Sequence, residues 1–400
     1  MTIVLAPDSF KESLTAKQVC TALEAGLRQS LPEANILHVP MADGGEGTVQ
    51  ALVDATGGSL LTAPVAGPMG GPIEATFGIL GDGETAVIEM AEASGLALVP
   101  EGRRDPRRAT TRGTGELVLA ALDAGVRNIV LGIGGSATND GGAGLAQALG
   151  ARLLDESGHE LRPGGAELAK LATIDVSGLD PRLAETTFQV ACDVSNPLCG
   201  PQGASEIFGP QKGADHRCVA ELDAALAHYA RIIERDLGRD VATLPGAGAA
   251  GGLGAAMVAF CDATLRRGVD IVLEHSGLEQ HLQHADLVIT GEGRLDGQTR
   301  FGKTPKGVAD LAGEYEVPVI ALAGSLGDGA ETLLDAGFSA VLPVVAGVGT
   351  LQQALAEAAG NLERTARNLG ALLRMGAALP VPPWPVADAG GEQSGAQQAT

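Results

Sequence analysis

Short apolar runs at the two ends of the chain alternate with amphipathic segments, as in parallel strands connected by helices. The apolar runs predict five strands, which are Thr2–Ala6, Ile36–Pro40, Ala285–Thr290, Val317–Ala323 and Ala340–Val345. The segments between them predict helices over Thr15–Ser30, Thr48–Ala55, Lys306–Glu314, Ala330–Leu334 and Leu351–Met375. This alternation predicts one doubly wound α/β domain made from residues 1–60 and 285–378.

The middle of the chain, residues 61–284, follows a different order of elements. Two β-like runs come first, Ile73–Leu80 and Thr85–Met90, with a turn at Gly81–Gly83 between them. Further strands are predicted at Asn128–Leu131 and Phe188–Cys192, and helices from Gly115, over Val219–Leu237 and over Gly254–Gly268. We therefore expect a mixed α/β domain inserted into the first one. Residues 379–400 are rich in Pro, Gly, Ala and Gln without periodicity, which predicts a disordered tail.

Composition narrows the class of partner. The 400 residues carry a formal net charge of −22, which argues against binding to nucleic acid or to an anionic membrane surface. Aromatic residues make up 2%, too few for the stacking platforms of a single-strand nucleic-acid binder. A phosphorylated substrate stays compatible with this charge, because salt screens distant charges beyond about 8 Å and local cations then decide.

Cysteine usage and the chain start predict a cytoplasmic protein. The five cysteines form no CxxC pair and leave one over, which fits a reducing compartment better than a disulfide framework. The start MTIVLAPDSF lacks a basic region and a small-residue cleavage site, so we expect no signal peptide. No apolar run approaches the ~20 residues of a membrane span.

Carboxylates and glycines occur together in loops that follow predicted strands. These loops are Pro7–Ser13 (PDSFKES), Ala42–Thr48 (ADGGEGT), Gly134–Gly142 (GGSATNDGG), Cys192–Gly200 (CDVSNPLCG) and Thr290–Thr299 (TGEGRLDGQT). Each alone is equally typical of a turn or a helix cap. Together they favour phosphoryl transfer, which needs glycine backbone near phosphates, carboxylates for Mg²⁺, a cation and a base.

Two familiar nucleotide patterns also occur. Gly297–Thr304 (GQTRFGKT) matches a P-loop formally, but the predicted strand ends at Thr290 and the helix start is displaced by Pro305. Gly132–Ala137 matches GxGxxA after a strand, as in a dinucleotide fold. The following Asn139–Gly142 (NDGG) favours a turn where that fold would continue its helix.

The motifs as a set resemble the bacterial glycerate kinase family, type I. The matching segments are Asp8–Ala16, Pro40–Thr48, Thr110–Leu117, Gly132–Gly144, Cys192–Leu198, Phe208–Ala214, Gly246–Ala256 and Val288–Thr299. The resemblance implies ATP-dependent, Mg²⁺-requiring phosphorylation of D-glycerate, most often at the 2-hydroxyl. It also implies a flavodoxin-like domain made from both chain ends, an inserted restriction-enzyme-like α/β domain, and an active site between the two.

Residue chemistry and loop position suggest roles within these loops. Asp193 is our first candidate for the general base, because it stands at a strand end without a neighbouring carboxylate, and Asp43 is the second. Lys11 would face a phosphate or the substrate carboxylate. The candidate metal or phosphate-positioning residues are Asp140, Glu292 and Asp296. The candidate nucleotide-binding residues are Gly134, Gly135, Ser136, Asn139, Gly251 and Gly252, and the candidate substrate-binding residues are Asp8, Ser9, Glu46 and Arg294.

Several alternatives remain at this point. Either hydroxyl of glycerate could be the acceptor, giving 2- or 3-phosphoglycerate. A nicotinamide-dependent hydroxy-acid dehydrogenase and a non-catalytic nucleotide-binding module are the alternatives from other functional classes. The resemblance favours the kinase, with D-glycerate and ATP as its small-molecule partners.

Overall fold

The structure, a computed structural model, describes residues 1–379. The two chain ends form a five-stranded sheet in which every pairing is parallel, hereafter the parallel sheet. From one edge to the other its strands are Ala340–Pro343, Val319–Leu326, Leu287–Leu295, Thr2–Leu5 and Asn35–His38. Read in chain order, this is the 2-1-3-4-5 arrangement of doubly wound sheets, which place ligand sites beyond the carboxyl ends of their strands.

Helices cover both faces of the parallel sheet. Ala16–Ser30 and Ala358–Ala378 pack together on one face, where they bury Leu23 and Leu362 against Leu5. The helix Ala16–Ser30 begins at the predicted capping box of Thr15 and Gln18. The helices on the opposite face are Thr48–Thr56, Gly268–His275, Leu278–Leu282 and Thr304–Glu314.

The middle of the chain forms a six-stranded sheet, hereafter the mixed sheet. Its strands in spatial order are Thr264–Arg266, Thr187–Ala191, Asn128–Gly132, Thr85–Glu89, Pro72–Ile79 and Ser59–Ala66. Pro72–Ile79 pairs antiparallel with both of its neighbours, Thr85–Glu89 and Ser59–Ala66. The other three pairings of the sheet are parallel. Arg152–Leu154 and Thr173–Asp175 form a separate antiparallel pair. The remaining α-helices of the middle are Ala91–Ser94, Arg112–Asp123, Ala143–Ala148, Ala204–Phe208, His216–Leu237 and Leu253–Cys261.

The two sheets share apolar packing. Val87, Val130 and Ala191 of the mixed sheet belong to the same buried cluster as Val49 and Ile271. Those two residues lie on the helices Thr48–Thr56 and Gly268–His275, which therefore pack between the sheets. The apolar contact fixes how the strand ends of one sheet face those of the other.

Two strand predictions need correction. Ser59–Ala66 was not predicted, because Pro64 interrupts the β pattern; the strand lies at the sheet edge, where a proline is tolerated. The strand predicted to end at Thr290 continues through Gly291 and Gly293 to Leu295. Its pairing with Val319–Leu326 persists to that point, so the strand carries Glu292 and Arg294.

Two helix predictions also need correction. The helix predicted over Gly254–Gly268 ends at Cys261, because Asp262 adopts a left-handed conformation with φ of 51°. A short strand, Thr264–Arg266, follows it. The helix predicted over Leu351–Met375 is two helices, Leu351–Ala356 and Ala358–Ala378, separated at Glu357.

The boundaries predicted between two domains stay predictions. The strand at Ser59 already pairs with the mixed sheet, and residues 268–282 form helices packed against the parallel sheet. The disordered tail is predicted over residues 379–400, and all of it except residue 379 lies outside the described residues. Within residues 1–379, no helix combines the length and apolar character that a membrane crossing requires.

Candidate functional site

A cavity of roughly 520 Å³ lies at the carboxyl ends of the parallel strands. Its polar wall includes Asp8, Ser9, Lys11, Asp43, Glu292, Arg294, Lys303 and Thr304, and the remaining polar lining residues are Glu12, Ser13, Ser325 and Asn361. Its apolar wall includes Phe10, Val344, Val345, Leu351 and Leu355. Three of the loops selected from the sequence follow strands of the parallel sheet, and all three supply residues to this cavity.

Asp8 is held at the base of the polar wall by hydrogen bonds to both carboxylate oxygens. Oδ1 accepts from the Ser9 backbone N–H at 2.6 Å, and Oδ2 accepts from the Thr304 hydroxyl at 2.7 Å. Burial raises the pKa of Asp8 to about 6; the Thr304 hydrogen bond opposes this rise, and the charge of Asp43 adds to it. Asp8 and Asp43 are therefore close enough to repel each other.

Glu292 contacts the same segment from the neighbouring strand. Its Oε1 accepts from the Thr299 hydroxyl at 3.2 Å and from the Lys303 Nζ at 3.3 Å. Burial raises the pKa of Glu292, the positive charge of Lys303 lowers it, and the charge of Asp8 raises it again. The segment from Thr299 to Thr304 thus orients two carboxylates, Asp8 and Glu292, in one cavity.

The cations of the cavity lie at its exposed side. Lys11 follows Phe10 in a tight turn closed by the hydrogen bond from the Leu14 N–H to the Phe10 carbonyl at 2.9 Å. Its side chain is exposed. Arg294 is also largely exposed, with its Nε 3.5 Å from Asp296 Oδ2. Both residues line the cavity, so their positive charges lie beside any anion bound there.

Two of the predicted residues lie beside the cavity rather than in it. Asp296 accepts the Gln298 N–H at 3.0 Å and caps its own turn, and it does not line the cavity. Glu46 is exposed and shares smaller adjoining depressions with Ser9. Neither position excludes contact with a large ligand that extends from the cavity.

Glycine backbones hold Asp43 and Asp193 at the junction of the two sheets. Gly44 has φ of 89°, and a Cβ at this residue would lie 2.6 Å from the Gly268 Cα and 2.9 Å from the Ala191 Cβ. The Gly268 N–H donates to Asp193 Oδ1 at 2.9 Å. Burial raises the pKa of Asp193, the Gly268 hydrogen bond opposes this, and the charge of Asp43 adds to the rise. These two candidate bases are therefore electrostatic neighbours.

The end of the GGSATNDGG loop is buried. Asp140 is fully buried. Its Oδ2 accepts three hydrogen bonds, from the Thr111 N–H at 2.8 Å, the Thr111 hydroxyl at 2.9 Å and the Gly144 N–H at 3.2 Å. Oδ1 accepts the Gly142 N–H at 3.2 Å. Asn139 is also fully buried and donates to the Ser205 hydroxyl. These hydrogen bonds stabilise the loop. The metal contact of Asp140 and the nucleotide contact of Asn139 stay predictions, and neither residue lines the cavity.

The GAGAAGGLG segment packs against this buried turn. A Cβ at Gly251 would lie 2.0 Å from the Thr138 carbonyl oxygen, and one at Gly252 would lie 2.7 Å from the Gly141 Cα. Both glycines therefore serve close backbone packing, and their nucleotide contact stays a prediction. Gly134 and Gly135, in contrast, remain exposed, and a Cβ at Gly134 would lie 3.7 Å from the Gly45 Cα.

A buried lysine supports the start of the same loop. Lys212 is 1% exposed, and its Nζ donates to the Ser136 hydroxyl and to the Thr138 carbonyl, both at 2.7 Å. Burial lowers the pKa of Lys212 to about 7, and the charge of Asp140 opposes this shift. Ser136 is itself buried and holds the loop through this hydrogen bond, and its nucleotide contact stays a prediction.

The comparisons with known proteins agree with this geometry. Residues 3–374 match the model of the Glycerate kinase family. The chain is 54% identical to the Glycerate 2-kinase of Escherichia coli K12 over 376 residues, covering 94% of this chain and 99% of that protein. It is also 54% identical to the Glycerate kinase of Halalkalibacterium halodurans, covering 92% of this chain and 97% of that protein.

The chain belongs to the glycerate kinase family. A crystal structure of a candidate glycerate kinase 2 from Salmonella typhimurium LT2 superposes with a TM-score of 0.88 at 54% identity. The match covers 95% of this chain and 100% of the Salmonella chain. The resemblance found in the motifs is thereby confirmed, and the chain is a kinase.

Sequence reasoning missed several residues of this glycerate kinase's cavity. Thr304 was dismissed with the P-loop pattern, because the strand was expected to end at Thr290 rather than Leu295. From the sequence, Lys303 is a candidate counter-charge in an acidic chain, and no role is predicted for Thr299. The sequence feature that could have indicated Thr299, Lys303 and Thr304 is their position directly after the TGEGRLD motif. Arg267 carried no signal at all; its Nη2 donates to the Gly302 carbonyl at 3.1 Å and joins the two sides of the junction.

The residues present fit a Mg²⁺ ion that is bound together with phosphates. Among residues 1–379, no group of three or more His, Cys, Asp or Glu side chains is arranged to hold a metal ion alone. Mg²⁺ in kinases takes one or two protein carboxylates and fills its octahedron with water and substrate phosphates. Asp8 and Glu292 offer such a pair of carboxylates.

The buried Lys212 predicts a pH dependence of stability. Its pKa is about 7 in the folded state against 10.5 when unfolded, so between these values the unfolded chain binds the extra proton. The free energy of unfolding should therefore rise as the pH increases from 7 to 9. In Lys212→Met this rise should be smaller. Urea unfolding at pH 7 and pH 9 measures the difference, and an equal rise in both proteins would contradict the prediction.

Proposed function

We propose that this protein transfers the γ-phosphoryl group of ATP to the 2-hydroxyl of D-glycerate in the cavity described above. The observation that carries the proposal is the convergence of Asp8, Asp43 and Glu292 with Lys11 and Lys303 in one cavity of a glycerate kinase family member. The name of the E. coli relative, Glycerate 2-kinase, supports the 2-hydroxyl as acceptor.

The two walls of the cavity suit the two ends of ATP. The apolar wall, with Val344, Leu351 and Leu355, can cover the nucleoside. Lys11 and Lys303 lie on the polar wall, where they can neutralise phosphate oxygens. Of the predicted nucleotide-binding residues, we retain Gly134 and Gly135 in this proposal. Both are exposed, and their backbone N–H groups could approach a phosphate without obstruction by a side chain.

Mg²⁺ is assigned to Glu292, with Asp8 beside it. When bound with ATP, the ion neutralises the negative charge that the phosphate oxygens carry during transfer. Glu292 is already oriented by Thr299 and Lys303, so little of its conformational freedom remains to be lost on metal binding. Arg294 and Ser9 are left to contact the glycerate carboxylate or hydroxyls.

The base is assigned to the neighbouring carboxylates at the junction. In the reaction a bond forms between the 2-hydroxyl oxygen and the γ-phosphorus, while the bond from that phosphorus to the bridging oxygen breaks and ADP leaves. The hydroxyl proton passes to a carboxylate. Asp193 remains our first candidate, because a raised pKa makes it a better proton acceptor near neutral pH. Asp43 is the alternative, since it lines the cavity.

The dehydrogenase alternative is disfavoured by the loop after the strand Asn128–Gly132. In a dinucleotide fold the helix N-terminus directly after the glycine turn receives the pyrophosphate. Here the exposed Gly134 and Gly135 are followed by the buried, non-helical residues Ser136 to Asp140, and the helix begins only at Ala143. No specific observation favours a nicotinamide site.

Incubation with ATP, Mg²⁺ and D-glycerate followed by phosphorus NMR tests the proposed function. We expect 2-phosphoglycerate and ADP to appear in equal amounts. Formation of 3-phosphoglycerate would contradict the acceptor assignment alone. Consumption of ATP without any phosphoglycerate would contradict the glycerate kinase proposal.

The base assignment predicts a difference between two isosteric variants. Asp193→Asn should lower kcat by roughly 10²–10⁴-fold, the usual contribution of a general base. Binding of ATP and glycerate should change little, because the amide keeps the size of the side chain. Asp43→Asn is the matched comparison: if it loses the larger share of kcat, the base is Asp43. Near wild-type kcat in both variants would exclude the pair.

The metal assignment predicts a second contrast. Glu292→Gln should require several-fold more Mg²⁺ for half-maximal activity, since an amide binds the ion less tightly than a carboxylate. Asp140→Asn should leave the Mg²⁺ requirement unchanged, because Asp140 does not line the cavity. It should lower the melting temperature, because an amide replaces the buried carboxylate whose Oδ2 accepts two hydrogen bonds from Thr111. Mg²⁺ titrations and thermal unfolding of both variants distinguish these roles. An unchanged Mg²⁺ requirement in Glu292→Gln would remove it from the metal site.

A further inference from the structure

A group of arginines lines two adjoining depressions on the part of the molecule built around the mixed sheet. One depression contains Arg103, Arg104 and Arg108, and the other contains Arg107, Arg108 and Arg162. They share Arg108, Met69 and Asp105. The volumes are roughly 660 and 650 Å³, and no residue is shared with the cavity assigned to catalysis. Such a concentration of positive charge is exceptional in a chain with net charge −22.

Most of this positive charge is uncompensated by carboxylates. Arg107 is 3.2 Å from Asp105, which is its ion-pair partner. Glu167, the other carboxylate of the two depressions, pairs instead with Lys170 at 2.9 Å. Among the described residues, no carboxylate lies within ion-pair distance of Arg103, Arg104, Arg108 or Arg162. These four guanidinium groups are therefore available to an anion.

One guanidinium also has a buried donor without an acceptor. Arg104 Nη1 donates to the Gln211 carbonyl at 3.3 Å, which holds the side chain against the protein. Its Nε is buried and has no hydrogen-bond partner among the described residues. Because buried donors are nearly always satisfied in proteins, this atom indicates room for an acceptor that a ligand or a solvent molecule would supply.

The backbone beneath the arginines is rigid. The N–H groups of Arg108 and Ala109 both donate to the Asp105 carbonyl at 3.1 Å, and the Arg107 N–H donates to Asp105 Oδ1 at 3.2 Å. A Cβ at Gly164 would lie 2.3 Å from the Arg107 carbonyl oxygen, so the two segments are in direct backbone contact. The arginines are thus presented from a fixed turn, which reduces the entropy lost when they bind.

We propose that these arginines form a second anion-binding site, separate from the catalytic cavity, for a small molecule that carries a phosphate group. The planar guanidinium group binds phosphate oxygens through two parallel hydrogen bonds, and several converging on one depression match a multiply charged phosphate. The overall negative charge of the protein does not prevent this, because salt screens distant charges and leaves local cations dominant.

Calorimetric titration with inorganic phosphate tests the site. In the double variant Arg103→Gln/Arg108→Gln we expect phosphate affinity to fall by at least about tenfold, since charge-assisted hydrogen bonds are lost. Arg374→Gln removes one positive charge from the exposed end of the helix Ala358–Ala378 and should bind phosphate as the wild type does. Lys303→Met, which alters the catalytic cavity, should also keep this binding.

Several results would overturn the proposal. They are the absence of phosphate binding to the wild type, equal binding by the double variant, or a comparable loss in Arg374→Gln. Loss confined to Lys303→Met would assign the phosphate to the catalytic cavity instead. Should the double variant fail to fold, as judged by circular dichroism, the single exposed variant Arg162→Gln replaces it, with a smaller but measurable loss expected.

Discussion

The close contact of glycine backbones at Gly44 and Gly268 is the constraint on which the proposed active site depends. It brings the carboxyl ends of the parallel strands against the ends of Asn128–Gly132 and Thr187–Ala191. A side chain at either glycine would collide with backbone of the other, so the two loops would have to separate. Asp43 and Asp193 would then separate as well. Burial is the main cause of the raised pKa of Asp193, and the separation would remove the further rise that the charge of Asp43 adds. The apolar cluster shared by the two sheets stabilises the same contact from below.

Buried polar groups give the glycine-rich loop its shape. Asp140 gathers donors from Thr111, Gly142 and Gly144, and Lys212 ties Ser136 to Thr138. These groups were removed from water, so each is stabilised only while its partners are in place. The loop therefore keeps one conformation, in which the exposed Gly134 approaches Gly45. The charged side chains of Asp140 and Lys212 thus stabilise the conformation of this loop from the protein interior.

Positive charge is scarce in this chain, and its distribution separates two kinds of surface. Lys11 and Lys303 lie in the cavity with the carboxylates, where the combination suits a nucleotide bound with Mg²⁺. The surface with few carboxylates contains Arg103, Arg104, Arg107, Arg108 and Arg162, which suits an anion bound without a metal ion. The two surfaces are made by different sheets and share no lining residue.

The sequence by itself determined the alternation of strands and helices, the family, and most of the loops that form the cavity. It could do so because strand and helix periodicities are local, and because long motifs identify a family without reference to geometry. Only the tertiary structure decided which side chain of each loop reaches the cavity. Asp8, Lys11, Asp43 and Glu292 line it, whereas Asn139 and Asp140 are buried. The same residue types occur in both groups, and burial depends on packing against segments distant in the chain, such as Thr111 and Gly251, that no local pattern encodes.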